Sequence, residues 1–183
     1  MRHTKWTLFP YVVYLSLFVW TEVFAISSPL IAQLTQRVSH ITNSVRDAAE
    51  GLGYRSIAGN RIPDKWAEAR QQGELVDYAY LTLFGPDSDN SHLGMNGRIS
   101  VTVLAFKNEE IAKRELAKLK AQHGDNIGFK LIREGSEGLL IEEGNGLYAA
   151  VIMGADVLLL EDRSRMQRKP IEAITESIVK RTR

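Results

Sequence analysis

The chain of 183 residues carries 23 lysines and arginines against 22 aspartates and glutamates, and it has no cysteine. Without a thiol there is no disulfide, no thiolate chemistry and no lipid attachment at a cysteine. Bases and acids alternate along most of the sequence, so no one-signed basic stripe forms and nucleic acid is not an expected partner.

Residues 1–25 read as an export signal. Arg2 and Lys5 precede an apolar run from Trp6 to Trp20, interrupted only by Thr7, Pro10 and Ser16, and Val23-Phe24-Ala25 offers small residues at a cleavage site. As a helix that run spans roughly 21 Å before Thr21 and Glu22, short of the roughly 30 Å of a hydrocarbon core. A cleaved signal peptide is therefore favoured over an uncleaved membrane anchor. Either way the rest of the chain is expected outside the cytoplasm, periplasmic or secreted in the first case and tethered in the second, because the basic end stays inside.

Residues 26–53 are expected to form an amphipathic helix. Ser27 or Ser28 with Pro29 supplies a start, Leu34, Val38, Ile41, Val45, Ala48 and Leu52 recur on one face, and Gly51 and Gly53 end it. That face either packs on the domain that follows or holds a partner as a coiled-coil seam. Residues 54–77 lose the periodicity and gain Gly59, Asn60, Pro63 and Gly73, which predicts a connecting segment. Within it, Pro63 to Arg70 suits two helical turns that lay Trp66 on the core.

Residues 78–183 read as an α+β domain. Tyr78 to Phe84 and Ile99 to Phe106 are β-branched and aromatic and suit paired strands, joined by a long polar excursion from Gly85 to Arg98. Asn108 then caps a helix with Glu109 and Glu110 in its first turn, a buried stripe of Ile111, Ala112, Leu116 and Leu119, and expected ion pairs Glu109–Lys113 and Glu110–Arg114. His123 to Asn126 close it. A meander follows in Phe129 to Arg133, Leu139 to Glu143, Leu147 to Met153 and Val157 to Glu161, with Gly135 to Gly138, Gly144-Asn145-Gly146 and Gly154-Ala155-Asp156 as turns. Leu147 to Met153 is apolar on both faces, as a strand covered from each side should be. Pro170 opens a last helix with Ile171, Ile174 and Ile178 inward. The expected architecture is α+β: a mostly antiparallel sheet of about six strands with helices packed on it, preceded by the amphipathic N-terminal helix.

No residue is nominated as catalytic, cofactor-binding or metal-binding. His3, His40, His92 and His123 lack ligand spacing. Asp87-Ser88-Asp89-Asn90-Ser91-His92 begins like a calcium loop, yet His92 stands where glycine is required and Arg98 where a bidentate glutamate is. No nucleophile elbow surrounds Ser91, Ser136 or Ser164. The adjacent acids Glu109-Glu110 and Glu142-Glu143 diverge on a helix or strand and cannot share a cleft. Arg163, Arg165, Arg168 and Lys169, with Met166 among them, read as a solvated linker, with a basic docking patch for an acidic partner or an anionic membrane surface as the sharper alternative.

The function these features favour is an exported, non-catalytic binding or accessory subunit of an extracytoplasmic or membrane-associated assembly, holding a protein partner through the N-terminal helix, with membrane contact through residues 1–25 if they are retained. The alternatives are a periplasmic enzyme or small-molecule carrier with a pocket between sheet and helix, using Asp87, Asp89 or His92 at its mouth, and a membrane-tethered structural subunit.

Overall fold

A computed structural model describes residues 36–59, 64–86, 97–123, 127–129, 137–143, 146–162 and 168–181. Among the described residues seven strands form one sheet: β1 (Arg55–Gly59), β2 (Leu75–Phe84), β3 (Arg98–Phe106), β4 (Ile127–Phe129), β5 (Glu137–Glu143), β6 (Gly146–Met153) and β7 (Asp156–Asp162). Their order is β1-β2-β3-β7-β6-β5-β4, and every neighbouring pair is antiparallel. The chain meanders through β1, β2 and β3, crosses to the far edge, and meanders back until β7 lies against β3. The α+β class and the antiparallel sheet are as the sequence predicts.

Strand alternation sorts the apolar residues onto two covered faces. One face carries Leu81, Leu83, Ile99, Val101, Val103, Leu147, Val151, Leu158 and Leu160. Over it lie α1, residues 36–50, with Val38, Ile41, Val45 and Ala49 inward, and α4 (Arg168–Arg181), with Ile171, Ile174 and Ile178 inward. The opposite face carries Leu104, Phe106, Ala150, Ile152 and Val157. It is covered by Ala112, Leu116 and Leu119 of α3 (Glu109–His123) and by Trp66 and Ala69 beside α2 (Ala67–Gln71). Helices on both sides explain why β6 is apolar on both faces. A bulge between Leu75 and Asp77 shifts the β2 register, so Leu75 joins this second core with Tyr78 despite their odd spacing.

Local signals set the helix ends. The Asn108 side-chain oxygen accepts from the Ile111 amide at 2.9 Å, the expected N-cap of α3. Helix α1 stops in a turn where Gly53 has φ 81° and the Tyr54 amide donates to the Ala49 carbonyl. Gly154, φ 66°, gives the two-residue connection Gly154-Ala155 between β6 and β7 its left-handed position.

Several expectations are corrected. The segment expected only to connect also holds β1, which adds an edge strand; its burial is slight, so Arg55-Ser56-Ile57-Ala58 leaves little hydrophobic pattern to read. Leu52 is exposed, and Ala49 takes the last buried position of α1, because the helix ends before its stripe reaches residue 52. Asp156 belongs to β7 rather than to the preceding turn. Helix α4 begins at Arg168, so Arg168 and Lys169 belong to its first turn with Pro170, where the missing amide hydrogen costs nothing. The Glu109–Lys113 pair forms at 2.8 Å, but Arg114 turns from Glu110 to Glu74 and Glu115. The Glu74 hydrogen bond, with Glu115 adding to it, raises the guanidinium pKa further, against the opposing pull of partial desolvation. The leader, Leu34, residues 87–96, residues 130–136, Asn145, and residues 163–167 lie outside the described residues.

Candidate functional site

The face that would hold a partner in a coiled coil is occupied. Val38, Ile41 and Val45 are buried in the domain's own core against the sheet and α4. Arg37 of α1 ties that helix to the sheet: its Nε and Nη2 both donate to Asp156 Oδ2, at 3.0 and 2.7 Å. Asp156 Oδ1 is buried with no hydrogen-bond partner among the described residues. Burial pushes the Asp156 carboxyl above the usual carboxylate range, and the Arg37 hydrogen bond and charge offset this only in part. The other side of the helix pair is joined by Arg181 to Asp47 at 3.1 Å.

The opposite sheet face offers a concavity. Helix α3 covers that face around Leu104 and Phe106, and beside Leu119 a concavity remains among the described residues. A pocket of about 180 Å³ opens there, lined by Tyr80, Ser100, Thr102, Tyr148, Leu159 and Glu161, with Leu119 as one wall. The strand register explains this gathering. Ser100 stands opposite Glu161, which stands opposite Tyr148, in one row across β3, β7 and β6. Tyr80, Thr102, Leu159 and Ala150 form the adjacent row across β2, β3, β7 and β6. Three strand spacings of roughly 4.8 Å separate the tyrosine-bearing strands by about 14 Å, with the hydroxyls, the carboxylate and Leu159 between them.

Both tyrosine rings rest on glycine. A Cβ at Gly59 would come within 2.6 Å of the Tyr80 ring, and one at Gly146 within 2.8 Å of the Tyr148 ring. The absent side chains leave room for each ring to lie close over the glycine. The Tyr80 hydroxyl donates to Ser100 Oγ at 3.2 Å, which fixes that ring further. Chemically the pocket combines hydroxyl donors and acceptors, aromatic faces, an apolar floor and one carboxylate. Among the described residues no histidine lines it, and the hydroxyl that meets Ser100 is the Tyr80 phenol.

The other described residues singled out in the sequence lie apart from one another. His40 is exposed on α1, on the far side of the sheet, and His123 ends α3. His3, Asp87, Asp89, Ser91, His92, Ser136, Arg163, Ser164, Arg165 and Met166 lie outside the described residues. Trp66 is in the core, its ring edge-on to Phe106 with centroids 6.1 Å apart. A smaller hollow of about 140 Å³ beside it is lined by Glu68, Glu74, Glu115 and Lys118. These acids are engaged: Lys118 holds Glu115 at 2.7 Å, Gln72 holds Glu68 at 3.1 Å, and Arg114 holds Glu74. Among the described residues no histidine, aspartate and glutamate side chains gather as a metal site. Nor is any helix among them long and apolar enough to cross a membrane.

The sequence pattern concealed this pocket because its polar members look like ordinary strand alternation. Ser100 and Thr102 alternate with Ile99, Val101 and Val103, and nothing local says that a concavity remains beside α3. The fold thus defines a class, an antiparallel sheet between two helical layers. No family model and no curated protein matches the chain.

Proposed function

We propose that this chain is an exported, non-catalytic binding domain that takes a small molecule in the pocket between the sheet and α3. The observation that carries the reading is the gathering of Tyr80, Ser100, Thr102, Tyr148 and Glu161 around about 180 Å³ of space that α3 does not fill. Small-ligand sites combine an apolar lining with a few convergent polar groups in this way. The volume suits a ligand below drug size. Export rests on the basic and apolar leader of residues 1–25. The native protein should then begin at Ile26, which N-terminal sequencing checks.

The pocket reading is tested by filling the space. Ser100→Phe projects a ring into the opening at a half-buried position, where added volume meets a void rather than packed core. It should leave the melting temperature nearly unchanged and abolish the hits of a ligand-observed NMR fragment screen. Hits that persist in Ser100→Phe with a folded spectrum place the binding elsewhere and overturn the reading.

A second reading keeps the accessory-subunit role and moves its contact from α1 to the sheet edge. Outer strand β1 carries Ile57 at 59% exposure. An edge strand with an exposed isoleucine is a template for a partner strand. Ile57→Lys should then abolish co-purification from the native host without changing the melting temperature.

A further inference from the structure

We infer that the outer edge of β1 takes an extended segment of a partner protein in which a carboxylate and an apolar side chain stand two residues apart. This rests on the sheet-edge reading above and specifies the partner's chemistry. Strand β1 ends the strand order, so every second residue turns its amide and carbonyl away from β2. Arg55, Ile57 and Ala58 are exposed along it, and its one charge is Arg55. No proline or lysine blunts the edge.

The register fixes what surrounds Arg55. Phe84 stands directly opposite it on β2, and Arg98 stands opposite Phe84 on β3, so the three share one row and one face. The Arg98 guanidinium lies over the Phe84 ring, 5.1 Å from its centroid. Ile57 begins the next row, with Thr82 and Ser100. That row continues to Glu161 on β7, roughly 14 Å from β1 by strand spacing alone and out of reach of Arg55. Among the described residues no carboxylate pairs with Arg55 or Arg98, whereas Arg37, Arg114, Arg168 and Arg181 are each paired. The complement to Arg55 therefore comes from the open side of β1. A strand added there runs about 4.8 Å away. Its residue opposite Arg55 is a cross-strand neighbour, where opposite charges attract, and its residue opposite Ile57 lies two positions along on the same face. A carboxylate in the first place meets the guanidinium, and an apolar side chain in the second covers Ile57. Arg98, two strands further in, adds to the positive field. A second copy of β1 lacks this chemistry: Arg55-Ser56-Ile57-Ala58-Gly59 has no acid, and antiparallel self-pairing about Ile57 sets Arg55 against Gly59.

The experiment is an NMR titration of the native chain with the capped peptide acetyl-Thr-Val-Thr-Glu-Thr-Ile-Thr-amide and with its analogues carrying Gln or Lys in place of Glu. The Glu peptide presents its carboxylate two residues from an apolar side chain in either strand direction, and it should shift the β1 backbone amides in a saturable way. The Gln peptide should bind about two- to fivefold more weakly, the range for an opposite-charge cross-strand pair, and the Lys peptide more weakly still. Arg55→Glu should reverse the order and favour the Lys peptide, and Ile57→Lys should weaken the Glu and Gln peptides. Both side chains are exposed, so each variant should keep the parent's melting temperature, and circular dichroism checks that it is folded. Equal binding of the three peptides at β1, or an order that Arg55→Glu leaves unchanged, keeps the sheet edge and overturns the acidic partner. Shifts at β1 that grow with protein concentration in the absence of peptide make a second copy the occupant and overturn the partner segment. No shift at β1 with any peptide overturns both this inference and the sheet-edge reading.

Discussion

Removing Arg37 should destabilise this domain far more than removing the charge it pairs with. Asp156 is 8% exposed and keeps one oxygen without a hydrogen bond among the described residues, while Arg37 is 40% exposed and can return to water. Arg37→Ala leaves a buried carboxylate with no cation. Hydrogen bonds to charged groups contribute about 1.5–3 kcal/mol, and breaking a fully buried pair costs about 3–5 kcal/mol. The half-exposed arginine puts the expected loss at the lower range, about 1.5–3 kcal/mol. At about 2–4 °C per kcal/mol for a domain of this size, the melting temperature should fall by about 3–12 °C. Asp156→Asn removes the charge whose burial outweighs what Arg37 returns. It should therefore stay within about 1 kcal/mol of the parent at neutral pH.

The pH dependence separates this account from simple loss of packing. The folded carboxyl has its pKa raised above the unfolded value of about 3.9. Between those two values the folded state holds more protons than the unfolded state, so this group's contribution to stability falls as pH rises through that window and is then constant. Arg37→Ala raises the folded value further and widens the window. Its deficit should be large at pH 7 and shrink towards pH 4, and Arg37→Ala combined with Asp156→Asn should recover most of the loss. Thermal melting of the four proteins across pH 4–8 is the measurement. A deficit that is the same at every pH, or no recovery in the double variant, would refute the reasoning.

Two further outcomes follow from the core and the caps. Val45→Asp places a charge where the side chain has no solvent exposure between α1 and the sheet, so the isolated domain should unfold or lose several kcal/mol; a folded variant that merely loses a partner in size exclusion would restore the partner-binding helix. Asn108→Ala removes the acceptor of the Ile111 amide and should cost about 1 kcal/mol in chemical denaturation, with Asn108→Asp close to the parent.

Local chemistry in the sequence determined most of the framework. The 3–4 spacing from Val38 to Val45, the Asn108 cap, the glycine turns and the β-branched runs each depend on interactions within a few residues, so helices, strands and several of their ends are legible there. The two-sided apolar run of β6 even implied helices on both faces. Where the elements meet is a different matter. The weak pattern of Arg55–Gly59 becomes a strand only because β2 presents an edge to pair with. Whether the α1 face meets a partner or its own sheet depended on the free area of that sheet, which no helix period encodes. Arg37 and Asp156 are 119 positions apart, and Tyr80, Ser100, Tyr148 and Glu161 come from four strands. The pocket exists because strand order brings those positions into adjacent rows and because α3 leaves a concavity over them. Both are products of long-range pairing and packing, in which each residue's surroundings are set by distant parts of the chain.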